Sequence, residues 1–514
     1  MNSRRTLARM FCGGVILAVA FASALGDARA DQKKTTTAPA KAAPAPAKSA
    51  QPAASPRTAP PAGARPVQPA VRPGGAGPAS GVGGGGHGGA GLSGRGGSSP
   101  GSGAGLAGSR TPRRNDPIPY AKHPGEESRS LPGGRTEIHD PRSGRTVTTN
   151  ARGEVRHIEA RRGLAGSIAI DRGPHGERMV VAGRPGARVV SYGPHRGFVE
   201  RGTGRPGYIS RTYFVRGHSY AHVYREYRYH NLAYYRYVPA VYYGPRFYAW
   251  AVTPWGAPVR YAWGGGFTAP WFGFYGGYFT PYSMYASPDL WLTDYLVAQN
   301  LRLAYENQQA AYAGQAPPPQ PDVQPTAAAL SPETKALIAD EVRQQLAAEQ
   351  ADALQPTSST TQQPASGGEQ LPPALNQRFF VASSNLDLTV GGQACSLTPG
   401  DIIQRKGKAV ESDGTVAVEV VSSKSGDCPA ESAAAVQLAD LQEMHNQFRE
   451  QIDSGLKMLA ANQANGLPNG PAAGGRPVAE GTADPVPDVE SQLITQESDA
   501  ASLEAQVGQT GSGS

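Results

Sequence analysis

Between residues 135 and 214 the chain alternates brief apolar or β-branched runs with polar breaks that carry glycine. The runs fall at 146–149, 155–158, 167–170, 179–181 and 188–190. Runs this short, closed by glycine, predict strands and turns and not helices. Arg-Gly pairs recur in a ten-residue step at 152–153, 162–163 and 172–173, and Gly-Pro-His recurs twenty residues apart at 173–175 and 193–195. Turns at so regular a spacing predict a β-meander or a stack of hairpins. A second β region follows near the C-terminus. There residues 379–381, 386–390, 401–405, 415–421 and 433–438 read as strands, with Asp413-Gly414 as a hairpin turn.

Helical spacing is found in three places. Leu290, Trp291, Leu292, Tyr295, Leu296, Val297, Leu301 and Leu303 surround most of a helix that Ser287 or Asp289 can cap, which predicts burial against the segment before it. Ser331-Pro332-Glu333 opens an amphipathic helix over 331–354, whose Leu337, Ile338, Val342 and Leu346 form one narrow stripe. That stripe requires a partner, either the protein's own body or a second copy, so self-association through 331–354 is one expectation. A third helix over 439–461 starts with a capping box of Asp440 and Glu443 and carries Leu441, Met444, Phe448, Ile452 and Leu459 on one face.

Composition changes the picture at the two ends and between the modules. With 65 Gly and 46 Pro among 514 residues, long stretches cannot offset their conformational entropy by burial. Residues 31–119, rich first in Ala, Pro and Lys and then in Gly and Ser, predict a disordered tether; 355–372 predicts a linker, and 462–514 a disordered acidic tail. Residues 1–30 carry Arg4, Arg5 and Arg9, an apolar run over 10–25, and Ala28-Arg29-Ala30. This is the pattern of a secretory signal peptide cleaved between Ala30 and Asp31. The apolar run is shorter than the roughly 20 residues of a spanning helix, so no transmembrane anchor is expected after its removal. The expected location is the periplasm, the outer cell surface or the extracellular space. Outside the signal segment only Cys395 and Cys428 remain, and an oxidising compartment lets them pair within a small β unit over 378–438.

Charge is divided along the chain. Residues 31–260 hold 34 Lys and Arg against 12 Asp and Glu, a balance of +22, while 261–514 hold 11 against 28, a balance of −17. Of the 34 cations 29 are Arg, whose planar fork suits carboxylates, phosphates and aromatic rings. An envelope polyanion, or the protein's own acidic half, is the partner this division predicts. Residues 192–305 hold 20 of the 22 Tyr, 7 of the 12 Phe and all 5 Trp. Pro and Gly interrupt them, predicting short strands and turns around an aromatic core, or alternatively a glycan-facing surface.

Three resemblances accompany these patterns. The stretch HDPRSGRTVTTNARGEVRHIEARRG resembles the hairpin repeats of the YD or RHS type found in large secreted bacterial proteins. Leu397-Thr398-Pro399-Gly400-Asp401-Ile402-Ile403 resembles the turn and strand of SH3-like barrels, implying such a barrel over 378–438. The Tyr- and Gly-rich middle leading into SPDLWLTDYL is similar to uncharacterised exported bacterial proteins, and implies no activity.

The fold class expected is therefore mainly β with a few amphipathic helices: an Arg- and aromatic-rich β body over 135–310 and a small SH3-like barrel, with a large disordered fraction. No phosphate loop, zinc-protease motif, paired CxxC or complete GxSxG elbow is present. Gly217-His218-Ser219-Tyr220-Ala221 is the nearest approach to the last, and its serine reads as a turn residue. His218, His222 and His230 are the only histidine cluster and the only metal candidates; on one strand they would share a face. A glycan-cleaving enzyme would need a carboxylate pair from residues such as Glu137, Asp140, Glu154 and Asp171. The sequence points to an exported, non-catalytic structural or interaction protein of the cell envelope, binding a polyanion, a glycan or another envelope protein. No cofactor and no nucleic acid are expected. A glycan-acting envelope enzyme and a metal-binding envelope protein are the alternatives.

Overall fold

A computed structural model describes residues 116–163, 166–174, 176–184, 186–230, 232–261, 263, 269–312, 329–355, 370–461 and 466–511. The signal segment with its Ala30–Asp31 junction, the tether as far as residue 115, and residues 356–369 of the linker lie outside the described residues.

Eleven strands form one sheet: β1 (Glu127–Leu131), β2 (Arg135–Asp140), β3 (Arg145–Thr149), β4 (Val155–Arg161), β5 (Ser167–Arg172), β6 (Arg178–Arg184), β7 (Ala187–Gly193), β8 (Arg196–Gly202), β9 (Tyr208–Val215), β10 (His218–Tyr229) and β11 (Leu232–Val238). They pair in chain order, each antiparallel to the next. Local chemistry accounts for this order, because tight turns return the chain to its own neighbour. Between β9 and β10, for example, Arg216 and Gly217 both have left-handed φ, at 53° and 79°. Such turns match the natural twist of the strands they join.

Ile138, Val147, Ile158, Ile170 and Val180 stand opposite one another on β2 to β6 and make one apolar row, buried to 4% exposure or less. A period of two places that row on a single face. Across it lies α6 (Val489–Gly511), whose Ala500 and Val507 meet the row, while Val489 and Leu493 meet Val189, Val199 and Phe214 further along. This corrects the expectation of a disordered tail over 462–514. The acidic residues that make the segment look unstructured, Glu497 and Glu504, end on arginines of the sheet. The tether is also shorter than expected: Ile118 and Tyr120 are buried, and the Val155 N–H donates to the Ile118 carbonyl at 2.8 Å. The sheet itself starts at Glu127, ahead of the expected boundary at 135.

The opposite face carries α5 (Leu438–Ala460) and the C-terminal β unit. In that unit β13 (Phe379–Val381), β16 (Ile402–Arg405), β17 (Thr415–Ser422) and β18 (Ala433–Gln437) pair in the order β13-β16-β17-β18. β14 (Leu386–Val390) and β15 (Gln393–Leu397) form a separate hairpin. The hairpin reaches the large sheet, where a Cβ on Gly133 (φ +79°) would come within 2.8 Å of the Ala394 nitrogen, so this contact depends on glycine. Side chains of α5 bind backbone groups of the edge strand β11. Asn446 Oδ1 accepts from the Tyr237 N–H at 3.0 Å, Asn446 Nδ2 donates to the Tyr235 carbonyl at 2.8 Å, and Arg449 Nη1 donates to the Tyr237 carbonyl at 2.8 Å. A bare edge would be a template for another strand, and these side chains occupy it.

The aromatic segment forms strands only up to β12 (Val241–Tyr242), which pairs with β19 (Arg476–Pro477). Beyond it the expected strands are replaced by α1 (Pro245–Val252) and α2 (Pro270–Tyr275), each opened by a proline whose fixed φ suits a first helical turn. Phe247, Tyr248, Phe279, Tyr285 and Trp291 are buried there in a core shared with α3 (Pro288–Ala311) and α4 (Pro332–Leu354). Ile338, Val342 and Leu346 of α4 lie in this same core, so three of the four stripe residues find their partner in the protein's own body, while Leu337 is 37% exposed. The Ser331 cap forms, its Oγ accepting from the Thr334 N–H at 3.2 Å. The Asp440–Glu443 box does not: α5 begins at Leu438 with Gln437 at the N-cap, and Asp440 is buried in the first turn. Among the described residues no helix is long and apolar enough to cross a membrane.

Cys395 and Cys428, 33 residues apart, are joined by a disulfide. Closing a loop of that length restricts the unfolded chain, so Cys395→Ser with Cys428→Ser is expected to lower stability by about 3–4 kcal/mol. Denaturant titration of oxidised wild type and double variant checks this. An unchanged midpoint would mean that the bond adds nothing.

Candidate functional site

Arginines of the sheet and acids of the C-terminal half meet on both faces. On the α6 side, Arg172 and Arg178 point from β5 and β6 into the interface. Arg172 Nη1 lies 2.5 Å from Glu504 Oε1, Arg178 Nη2 lies 2.9 Å from Glu504 Oε2, and Arg178 also pairs with Glu497. The Ser191 hydroxyl donates to Glu497 at 2.5 Å. All four charged residues are buried, so each depends on the others to replace lost water.

The α5 side repeats the arrangement with aromatic rings added. Arg211 on β9 reaches Glu200 of β8 at 2.8 Å and Glu443 of α5 at 2.5 Å, and its guanidinium stands 4.2 Å from the centre of the Tyr224 ring. Burial opposes the Arg211 charge, but Glu443, Tyr224 and Glu200 overcome it and hold its pKa well above the ordinary value. The Tyr213 and Tyr224 hydroxyls are 2.9 Å apart, and Tyr224 donates to Glu450. Burial keeps both phenols protonated far above the usual range, so they remain donors.

A charged cleft lies open on the α6 side. A space of about 260 Å³ lies between β3 to β5 and α6, lined by Ser143, Arg145, Arg161, Arg162, Asp499 and Ser502. Arg162 pairs with Asp499 at 2.6 Å. Arg145 leans on the Tyr120 hydroxyl at 3.5 Å, and its buried Nε donates to no protein atom. Arg161 is exposed and in ion-pair contact with no described residue. Glu126 stands 4.0 Å behind Arg145, so three guanidinium groups against Asp499 and Glu126 leave the cleft one net positive charge, and its scale suits a carboxylate or phosphate group. The Arg161-Arg162-Gly163 triplet carries this feature in the sequence, although nothing local shows that Arg145 joins it.

The metal candidates do not assemble. His218 is exposed at the start of β10. His222 lies 2.9 Å from Glu450 Oε2, among the rings of Tyr213, Tyr220 and Tyr237 at 5.4, 5.3 and 5.3 Å. His230 falls beyond the strand, with φ 47°, stacked on Tyr229 at 4.1 Å. Among the described residues no group of three His, Cys, Asp or Glu is placed to hold a metal ion. Ser219 lies in β10 opposite Phe214, and the turn is made by Arg216 and Gly217.

The four carboxylates are dispersed as well. Glu137, Thr148, His157 and Asp171 follow one another across β2 to β5. Three strand spacings of about 4.8 Å separate Glu137 and Asp171 by about 14 Å, beyond the roughly 5–10 Å of a glycosidase pair. Asp140 is held in a turn by the Ser143 hydroxyl at 2.6 Å and the Arg142 N–H at 2.9 Å, which lower its pKa. Glu154 is held by Asn150 at 2.7 Å. No family model matches this sequence, and no curated protein or solved structure matches it.

Proposed function

We propose that this is an exported, non-catalytic structural or interaction protein of the cell envelope, and that it holds an acidic envelope polymer through the arginine cleft beside α6. One observation carries the reading. Most of the sheet's conspicuous arginines are matched by the chain's own acids, as in Arg172–Glu504, Arg178–Glu497 and Arg211–Glu443, whereas Arg161 lines an open space beside Arg145 and Arg162 and pairs with no acid among the described residues. Placement in the periplasm, at the outer surface or outside the cell rests on the signal pattern of residues 1–30 and agrees with a disulfide. The C-terminal strands are read as an SH3-like barrel that buttresses the sheet.

The test is binding of the purified protein to peptidoglycan and to outer-membrane polyanion, assayed separately over a salt series. Binding that weakens steeply with salt is expected, because surface charge pairs are screened. Arg161→Gln with Arg162→Gln is expected to weaken it by about tenfold or more, the equivalent of one charged hydrogen bond. Wild-type affinity in that variant would move the contact away from the cleft, and no binding at low salt would overturn the reading.

A further inference from the structure

A buried lysine faces two buried aspartates at the edge of the C-terminal β unit. Asp401 ends the turn into β16, and Lys424 follows β17, with Ile402 and Ser422 paired between them. Asp401 is wholly buried and Lys424 is 7% exposed. The Lys424 ammonium touches Asp401 Oδ1, lies 3.3 Å from Asp427 Oδ2, and donates to the Thr398 carbonyl at 3.2 Å. The Asp401 carboxyl is held in place, because Oδ2 accepts from the Thr398 N–H at 2.8 Å and Oδ1 from the Lys424 N–H at 3.0 Å. Asp427 hydrogen-bonds to the Asp401 carboxyl and accepts from the Thr398 hydroxyl at 2.6 Å. Tyr278 roofs the group: its ring centre is 5.5 Å from the Lys424 nitrogen, and its hydroxyl donates to the Gly400 carbonyl at 2.9 Å.

From this geometry we propose that Lys424 and Asp401 condense with each other to form an intramolecular amide cross-link, with Asp427 carrying the protons. The elements the reaction needs are a nucleophile against its electrophile, a neighbouring acid–base group, and exclusion of water. The reacting form is the neutral pair, an amine and a carboxylic acid related to the ion pair by passage of one proton from nitrogen to the carboxyl group, and a buried setting disfavours separated charges. The Asp401 carboxyl is suited to receive it: burial pushes its pKa up, Lys424 pulls it back, and Asp427 raises it again, to about 7.

The Lys424 nitrogen then attacks Cγ of Asp401 while the Thr398 N–H holds the developing oxyanion. Asp427 takes one proton from the nitrogen and returns it to the carboxyl hydroxyl, which departs as water as the C–N bond becomes an amide. An amine and a carboxylic acid become an amide and one water; Asp427 ends unchanged, and no oxidant, metal or nucleotide is consumed. Holding the two groups in contact replaces the activation that an intermolecular amide would require. The bond closes a loop of 23 residues beside the disulfide.

The experiment is the intact mass of the purified full chain after reduction, followed by tryptic digestion. Reduction comes first, because in a chain uncut at Lys424 Cys395 and Cys428 lie in the same two tryptic peptides, 379–405 and 409–449, as Asp401 and Lys424. The expected result is a chain lighter by one water molecule and a branched peptide uncleaved at Lys424. Lys424→Met and Asp401→Ala are expected to restore the full mass. In Asp427→Asn, checked for folding by its disulfide and near-ultraviolet circular dichroism, formation is expected to slow by about a hundredfold. A full-mass wild-type chain that trypsin cuts after Lys424 overturns the cross-link, and needs no variant to fold. Wild-type cross-linking in Asp427→Asn overturns the proton relay.

Discussion

Replacing Arg178 by alanine is expected to cost the folded state about 3–5 kcal/mol, the penalty typical of breaking a buried ion pair from one side. Arg178 contacts both Glu497 and Glu504 in an interface where all three are buried. Without it, Glu497 and Glu504 both lose a guanidinium, and Arg172 remains beside Glu504. The strain falls on α6, whose hold on the sheet is otherwise modest: Val489, Leu493, Ala500 and Val507 supply its fully buried apolar contacts. Gln496, 1% exposed, adds an amide that bonds to no protein atom, which itself costs about 1–3 kcal/mol. Hydrogen exchange should therefore show residues 489–511 losing protection before the sheet does. Changing Arg178 and Glu497 together to methionine is expected to recover part of the loss, since the uncompensated charge goes with its partner. A single variant within 1 kcal/mol of wild type would mean that α6 is held by its apolar stripe alone.

Asp440→Asn is expected to do the reverse and stabilise the protein, by an amount that depends on pH. Asp440 sits in the first turn of α5, where burial, and then Glu443 and Asp171, push its pKa from 3.8 up to about 7. Its surroundings include two further charged groups: His157 is 2.6 Å from Asp171, and Arg211 is 2.5 Å from Glu443. Between about pH 4 and 7 the unfolded chain has released the Asp440 proton while the folded chain keeps it, so stability falls as pH rises through that window and levels off above it. Asparagine has no proton to lose. Its advantage should be near zero below pH 4, grow through the window and reach at most about 4 kcal/mol above pH 7, one pKa unit being about 1.4 kcal/mol.

His157 acts in the same direction. Burial lowers its pKa, but Asp171 more than offsets this and leaves it raised, so its contribution is present below the unfolded value of 6.5 and lost as pH rises through the folded one. Melting temperatures of wild type and Asp440→Asn from pH 4 to 9 check the prediction. A gain that is the same at every pH would show that the carboxyl is not the titrating group.

The local features of this protein are written in its sequence. Glycine spacing and β-branched runs located β3 to β7, because a hairpin is specified by a few consecutive residues, but they marked only the middle or start of the longer strands, 179–181 within Arg178–Arg184 and 188–190 within Ala187–Gly193. Phe379–Val381 and Leu386–Val390 were legible for the same reason. So were the Ser331 cap and the two cysteines. β15 (Gln393–Leu397) was not, being polar at its start and paired only with its hairpin partner.

The assignment of charges was decided by tertiary structure. The division into a basic and an acidic half is visible in composition, but whether an arginine meets an outside polyanion or the chain's own carboxylate depends on contacts separated by hundreds of residues. Arg178 and Glu497 are 319 residues apart, Arg211 and Glu443 232. Those distances explain why a helix was mistaken for a disordered tail. Val489, Leu493, Ala500 and Val507 already recur at helical spacing, but so sparse a stripe among acids is stable only against a surface that supplies arginines. The same holds for the candidate sites. The histidines are close in sequence, yet they diverge because one lies past the end of β10. Arg145 joins Arg161 and Arg162 because antiparallel pairing brings the start of β3 beside the end of β4, and Lys424 meets Asp401 because β16 and β17 are neighbours. Sequence fixes what each short segment prefers; long-range pairing, which alone removes charges from water together, fixes which groups face each other.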